Sequence, residues 1–458
     1  MSARAATPKS GSARAASRPV ATRGVQAILK SAWMDPVLLA LVLAVAAWVY
    51  LPTAARVGYN TDEGQFIAAA EYFELAFLKR QLSGPAWEPN YLTLTQPMLS
   101  RFILGAGIRV AGLEPPPLNI RYRESEVNPA TRGRYWERET FRDERKLAEE
   151  RRVDRPSAAV LQAARAPMVL LAVIGAGLLF VTGRMLAGPV AGLVAAAVAV
   201  WNPTMLTLLP RAHAESPLYV FTLAALALGL TAARLSPKGR CLWLGLGCGV
   251  AAGLAVSAKL TGTLLAAALL GYAVIALLLW LPVRGQAPAV AWRWSTLAVI
   301  AAMIVTVAMN PFLYPNPVGR LQEMLAFRQQ EMFGQAVLSE NEAVPPGLGA
   351  RLPLLADRML LDLATLNKRT GVPFDIPLIG LGLLTLAAGI GRQRTLQAVL
   401  GAEGLMLICC VVTVLGLAWN LGLDWARYYM PMLTLTSLLI GIGSATLLRG
   451  IRVVARMT

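Results

Sequence analysis

The feature that most constrains this chain is a series of apolar runs, each long enough to cross a bilayer, which takes roughly 20 residues. About ten can be read, near 36–54, 160–182, 188–205, 216–233, 242–258, 262–283, 295–312, 376–391, 397–419 and 428–448. Composition agrees. Of 458 residues, 56% are hydrophobic and 15% charged, against about 25% charged in a soluble domain. The mean hydropathy is +0.53. In hydrocarbon every backbone polar group must be satisfied within its own segment or by closure of a barrel, and runs of this length select helices. The expected fold class is an all-α polytopic membrane protein.

The formal charge of +17 follows the positive-inside rule rather than a nucleic-acid interface. Arg4, Lys9, Arg14, Arg18, Arg23 and Lys30 stand in residues 1–34 with no acidic residue before Asp35. That stretch, rich in Ala, Ser and Thr, reads as a disordered basic tail. Arg184, the group Arg234/Lys238/Arg240, Arg284 with Arg293, Arg392 with Arg394, and the final segment 449–458 all fall on the same side of the ten runs. Both termini are therefore expected in the cytoplasm, with the protein in the inner (plasma) membrane. The run at 36–54 exceeds the 7–15 apolar residues of a cleaved signal and reads as an uncleaved anchor. Cys241, Cys248, Cys409 and Cys410 lie in or beside apolar runs, so no disulfide framework or zinc-ligand spacing is visible.

The body of the chain, 35–448, sends two long loops to the opposite face. The first, 55–159, contains the apolar stretch Met98–Leu113, interrupted by Arg101 and Arg109. It is expected to be a helix lying along the interface. Beyond it, 121–155 is rich in Arg and Glu with nearly balanced charge and reads as a solvated helical insertion. The second outer loop, 313–375, follows Asn310-Pro311 and carries an amphipathic stretch from Val318 to Phe333. No internal repeat of fixed period is visible.

Four polar clusters gather on this outer face. Asp62-Glu63 follows the first run; a carboxylate pair there suits acid–base chemistry, and equally suits a helix N-terminus, where the dipole favours negative charge. Gln96-Pro97-Met98-Leu99-Ser100-Arg101 opens the interfacial stretch, and its arginine is placed either for a lipid phosphate or for snorkelling to headgroups. Pro210-Arg211-Ala212-His213-Ala214-Glu215 holds the only histidine of the chain. Lys259, in Ser257-Ala258-Lys259-Leu260-Thr261-Gly262, and Arg427, in Asp424-Trp425-Ala426-Arg427-Tyr428, stand at outer helix ends. A charge between two apolar runs costs a few kcal/mol unless paired or hydrated.

Taken together, these four places resemble the GT-C superfamily of polyprenyl-phosphate-dependent glycosyltransferases, in the branch of protein O-mannosyltransferases and lipid A aminoarabinose transferase. Asp62-Glu63 matches the branch's Asp-Glu pair. Gln96–Arg101 aligns with its His-Pro-Pro-Leu-Gly-Lys, with Gln for His and Arg for Lys, and Glu215 stands where Asp is commoner. Lys259 and its neighbours match a Ser-Lys-x-Thr-Gly segment, Asn310-Pro311 an Asn-Pro pair, and Arg427-Tyr428 an Arg-Tyr before the last helix.

The resemblance implies a GT-C-like transmembrane catalytic domain and an inverting transfer on the periplasmic or extracellular face. A sugar would pass from a polyprenyl phosphate to an acceptor hydroxyl on protein, lipid or glycan. It makes Asp62 the general base and gives Glu63 the role of holding Asp62 or the acceptor. Arg101, Arg211, Lys259 and Arg427 become the donor-phosphate residues, and Gln96, His213, Glu215 and Tyr428 line the substrate site. No metal or cofactor is called for, and nucleic acid is not an expected partner. The competing expectations are a transporter or flippase of lipid-linked sugars, which would hold its charges near the midplane, and a non-catalytic lipid-glycan binder. An oligosaccharyltransferase is set aside because the chain lacks a Trp-Trp-Asp motif and ends soon after its last run.

Overall fold

A computed structural model describes residues 21–116, 156–235, 240–338, 340–392 and 395–455. The charged insertion read at 121–155 lies outside the described residues, as does most of the basic tail; the first helix begins at Ala21. Among the described residues the structure is helical with no strand, and one isolated bridge joins Ala343 to Leu423.

The elements that position the outer face run in this order. Helix α1 (Ala21–Arg56) is followed by the short α2 (Thr61–Ala68) and by α3 (Leu99–Val110), the expected interfacial helix. Then come α4 (Ala158–Ala187), α5 (Pro189–Val200), α6 (Pro203–Leu208), α7 (Glu215–Arg234), α8 (Arg240–Ala258), α9 (Thr263–Val283) and α10 (Gln286–Ala308). The second outer loop contributes α11 (Pro317–Leu338) and α12 (Leu348–Asp357). The chain closes with α13 (Asp375–Arg392), α14 (Ala402–Asn420) and α15 (Met430–Val454).

Among the described residues nine helices are long and apolar enough to cross a membrane. The tenth expected crossing, at 188–205, is instead the 12-residue α5, about 18 Å long at 1.5 Å per residue. The apolar pattern there runs on through Trp201, but Asn202 caps the next short helix by accepting from the Met205 amide at 3.0 Å, and Pro203 follows it. This punctuation breaks one apolar run into two helices.

The bundle packs through small residues, which let helix backbones approach closely in the absence of a hydrophobic drive between them. On α8, Gly245, Gly249 and Gly253 recur every fourth residue against α10: a Cβ on Gly245 would stand 2.6 Å from the Trp294 carbonyl, and one on Gly253 2.7 Å from that of Ala302. A Cβ on Gly249 would collide with the Ala298 carbonyl.

The two ends of the bundle differ in chemistry. At one end Arg184 pairs with Asp35, and Arg449 donates to the Ala187 carbonyl. The other end gathers the candidate residues.

Candidate active site

Two adjacent carboxylates open α2 and have opposite surroundings. Asn60 caps the helix, its side chain accepting from the Asp62 amide at 2.9 Å while its own amide donates to Glu63 at 3.0 Å. This capping box fixes the turn and points the two acids apart. Glu63 is fully buried. Arg165, in the first turns of α4, donates to its two oxygens at 2.8 and 2.7 Å, and the Ala212 amide donates at 2.9 Å. The same guanidinium donates to the carbonyls of Ala54, Val57 and Gly58 at 2.7, 3.0 and 3.2 Å. Burial pushes the Glu63 carboxyl up, but Arg165 and the amides of Ala212 and Asn60 outweigh it and hold the group below its ordinary value. Glu63 is thus a structural clamp that ties α1, α2, α4 and the 210–214 segment together and has little capacity left for substrate.

Asp62 faces outward, its side chain 37% exposed, and pairs with Arg427, which is 26% exposed. Arg427 in turn lies over the Trp425 ring, 4.4 Å from its centroid, and 5.6 Å from that of Tyr428. The first outer loop and the turn that leads into the last helix, 365 residues apart, meet here.

On the far side of Tyr428 is a cavity of about 210 Å³. Lys259, Arg328, Gln96 and Tyr428 give it a polar end, while Leu264, Met332 and Leu417 are among its apolar walls. Lys259 Nζ lies 5.8 Å from the Tyr428 ring and bonds Glu215 at 2.8 Å. Arg328, on α11, donates to the Tyr428 hydroxyl at 3.3 Å and pairs with the buried Glu331, which accepts from Tyr91 at 3.0 Å. Burial disfavours the Arg328 charge, but Glu331 more than compensates and the guanidinium stays firmly protonated. The Gln96 side-chain oxygen and the Thr261 hydroxyl, both in the cavity wall, have no hydrogen-bond partner among the described residues.

Hydrogen bonds lock the separate motifs into this frame. Asn310 accepts from the Met98 amide at 2.8 Å and donates to Ser257 at 3.2 Å; Ser100 donates to the Ala258 carbonyl at 3.0 Å. The Gln96–Arg101, Ser257–Lys259 and Asn310-Pro311 segments therefore form one unit. From the other side Asp424 accepts from Arg358 at 2.9 Å and from the Tyr429 hydroxyl at 2.6 Å. This holds the 421–429 segment, and with it Arg427, beneath the second outer loop.

The remaining expected site residues are placed less directly. His213 is buried, its Nδ1 3.7 Å from Glu215 and its Nε2 without a partner. Burial lowers its affinity for a proton against the pull of Glu215, Asp62 and Glu63. Arg101 is 1% exposed and donates to Met98 Sδ at 3.4 Å, with its guanidinium 5.8 Å from the Tyr72 ring. It is folded into the aromatic cluster of the first loop and does not join the cavity wall, and burial lowers its pKa to about 10. Arg211 makes no ion pair among the described residues, and its Nε is buried without a partner. Arg165, Arg328 and Glu331 escaped the sequence reading. A lone arginine inside an apolar run demands a counter-ion, which was the available signal for Arg165; Arg328 sits in an ordinary amphipathic stretch. Among the described residues no cluster of three or more His, Cys, Asp or Glu could hold a metal.

Comparisons with known proteins agree with this architecture. Residues 158–310 match the family dolichyl-phosphate-mannose-protein mannosyltransferase. No curated protein matches the sequence. Among solved structures the chain is similar to ArnT from Cupriavidus metallidurans bound to undecaprenyl phosphate, at 14% identity and a TM-score of 0.50, covering 88% of this chain and 59% of that one. The apo state of the same ArnT gives 16% identity and 0.51, covering 91% and 60%. The archaeal oligosaccharyltransferase AglB from Archaeoglobus fulgidus, in complex with an inhibitory peptide and a dolichol-phosphate, gives 11% and 0.52, covering 93% and 52%. The chain thus spans between half and three-fifths of the length of these proteins. It has the GT-C fold of ArnT and AglB and, over residues 158–310, resembles the dolichyl-phosphate-mannose-protein mannosyltransferases.

Proposed function

We propose that the protein is a membrane glycosyltransferase that moves a sugar from a polyprenyl-phosphate donor to an acceptor hydroxyl on the outer face of the membrane. The observation that carries this reading is the chain of contacts from an outward carboxylate, Asp62, through Arg427 to Tyr428, which lines a cavity that also holds Lys259 and Arg328 among apolar side chains. A lipid phosphate has the same two-part chemistry. Lys259 and Arg328 would hold the phosphate, and the apolar walls the first part of the prenyl chain. Asp62, Glu63, Glu215, Lys259 and Arg427 sit at helix termini and in connecting turns, which supports surface chemistry over passage through the midplane.

In the proposed reaction Asp62 takes the proton from the acceptor hydroxyl as its oxygen bonds to the anomeric carbon from the face opposite the phosphate. The bond between that carbon and the phosphate oxygen breaks, its electron pair leaves with the polyprenyl phosphate, and the configuration inverts. General-base help of this kind is worth roughly 10²–10⁴-fold. The leaving group departs as an anion and needs no acid; the lysine and arginine stabilise the charge it gains, a contribution that preorganised cations make without reorganisation. Glu63, held by Arg165, sets the position of Asp62. The inner membrane is the proposed location, with both termini cytoplasmic.

The test is transfer from radiolabelled polyprenyl-phosphate sugars by purified protein in detergent, wild type beside Asp62→Asn. Sugar transfer by wild type, reduced at least about 10²-fold in the variant while donor binding persists, is the expected outcome. Equal rates in both would remove Asp62 from the chemistry. Donor binding without turnover of any donor would instead make the protein a lipid-glycan binder or flippase.

A further inference from the structure

The two carboxylates of α2 are held by two arginines in opposite ways. Glu63 and Arg165 form a sealed pair, 0% and 2% exposed, in which the arginine also serves three carbonyls. Asp62 and Arg427 form an open one, 37% and 26% exposed. Exposed pairs are weak and exchange partners readily. A carboxylate occupied by a guanidinium is a poor base, because the proton it must accept competes with the cation for the same lone pairs. The outward acid of the α2 turn is thus occupied by the Arg427 guanidinium.

Relief is built in one ring away. Arg427 lies 5.6 Å from the centroid of Tyr428, Lys259 lies 5.8 Å from the same centroid, and the Tyr428 hydroxyl accepts from Arg328. An anion held by Lys259 and Arg328 would stand within reach of the flexible Arg427 stem. A guanidinium can meet a phosphate with two parallel hydrogen bonds, whereas Arg427 meets Asp62 through one nitrogen. Lys259 keeps Glu215, and Arg328 keeps Glu331, so of the three cations around Tyr428 Arg427 has the most exposed carboxylate partner and the least to lose.

Resting on the glycosyltransferase reading above, we infer that Arg427 is a positioning residue that masks Asp62 until a donor phosphate draws it away, so that the base becomes free only in the donor complex. Donor binding then precedes acceptor activation. The consequence is chemical economy: water at the open outer face meets a blocked base while the site is empty.

The inference is tested without turnover. Asp62 is labelled with a water-soluble carbodiimide and glycine ethyl ester and read by peptide mass spectrometry in three samples: wild type, wild type with undecaprenyl phosphate, and Arg427→Gln. Binding of the lipid is followed in parallel by native mass spectrometry. The expected result is that the lipid raises Asp62 labelling roughly two- to fivefold, the factor an exposed ion pair represents, and that Arg427→Gln reaches a similar rate without lipid. Glu63, in the same peptide region, stays unlabelled throughout and reports that the turn is intact; if Arg427→Gln loosens it, Arg427→Lys replaces that arm and should give an intermediate rate. Lipid that binds while Asp62 labelling stays constant or falls overturns the mask and leaves the glycosyltransferase reading standing. Failure of undecaprenyl phosphate to bind overturns both.

Discussion

Asp62 and Glu63 are neighbours with the same functional group, and their surroundings give them different physical tasks. Removing one partner of a buried, hydrogen-bonded ion pair typically costs 3–5 kcal/mol, because the other charge is left unpaired out of water. Arg165 would be that stranded charge. Glu63→Gln is therefore expected to lower the thermal midpoint in detergent sharply, while Asp62→Asn, which breaks a part-buried pair at the protein surface, lowers it much less. Differential scanning fluorimetry of the two variants beside wild type checks this contrast; equal shifts would contradict the burial argument. The same pair predicts a pH dependence. The folded carboxyl of Glu63 sits below its ordinary 4.5, so the unfolded chain binds the proton more readily. The stability contributed is fully present above about pH 4.5 and is lost as pH falls from there through the folded value. Between pH 7 and pH 4 wild type should lose more stability than Glu63→Gln, which has no such proton to take up.

At the level of elements, the glycine stripe of α8 decides whether the bundle forms. Gly249 faces the α10 backbone at Ala298 with no space for a Cβ, and the obstacle is a carbonyl rather than a movable side-chain tip. Gly249→Val must push α8 and α10 apart, and overpacking of this kind costs typically 1–3 kcal/mol or more. Gly247→Ala, where a Cβ would rest 3.4 Å from a methyl of Leu228, should be tolerated; yield of monodisperse protein in detergent separates the two. Apolar run length did not single out that stripe. The long helices were legible, because twenty apolar residues in a row have few alternatives, and so was the helix α3. What could not be read is where non-local geometry decides. Pro189–Val200 looked like a full crossing because apolar run length ignores the Asn202 cap. Arg101 looked like a phosphate ligand because motif alignment says nothing of rotamer, and the side chain folds back over Tyr72. Arg328 and Glu331 meet Tyr428 and Tyr91 only through the tertiary fold. Lys259 and Gln96 do share one cavity wall, since they stand on segments that Asn310 and Ser100 stitch together, and Tyr428 joins them through Arg328.

For the whole molecule, the short α5 decides the parity of the chain. Nine crossings put the termini on opposite sides of the membrane; a tenth connection through α5 puts them on the same side. The contacts at its two ends favour the second. Its start lies beside Arg449, which bonds the Ala187 carbonyl at the end marked by Arg184 and Asp35. Its far end passes into Trp201 and Asn202, which bond Arg369 at 3.0 Å and Leu363 and Thr365 at 2.8 and 2.9 Å in the second outer loop. At about 18 Å the helix is shorter than a hydrocarbon core of about 30 Å, and at its far end Asn202 bonds the second outer loop. Val372 is exposed on that loop and Gly450 has open space at the opposite end. With the native cysteines replaced, Val372→Cys in intact cells should react with a membrane-impermeant maleimide and Gly450→Cys should react only after permeabilisation, as should a cysteine added at the N-terminus. A reactive N-terminal cysteine in intact cells beside a protected Gly450→Cys would mean that α5 does not connect the two faces. It would also move the Asp62 turn to the cytoplasmic side or leave the α7 mouth facing away from it, which the Glu63–Ala212 and Lys259–Glu215 bonds, both made at one end of the bundle, forbid in a single folded chain.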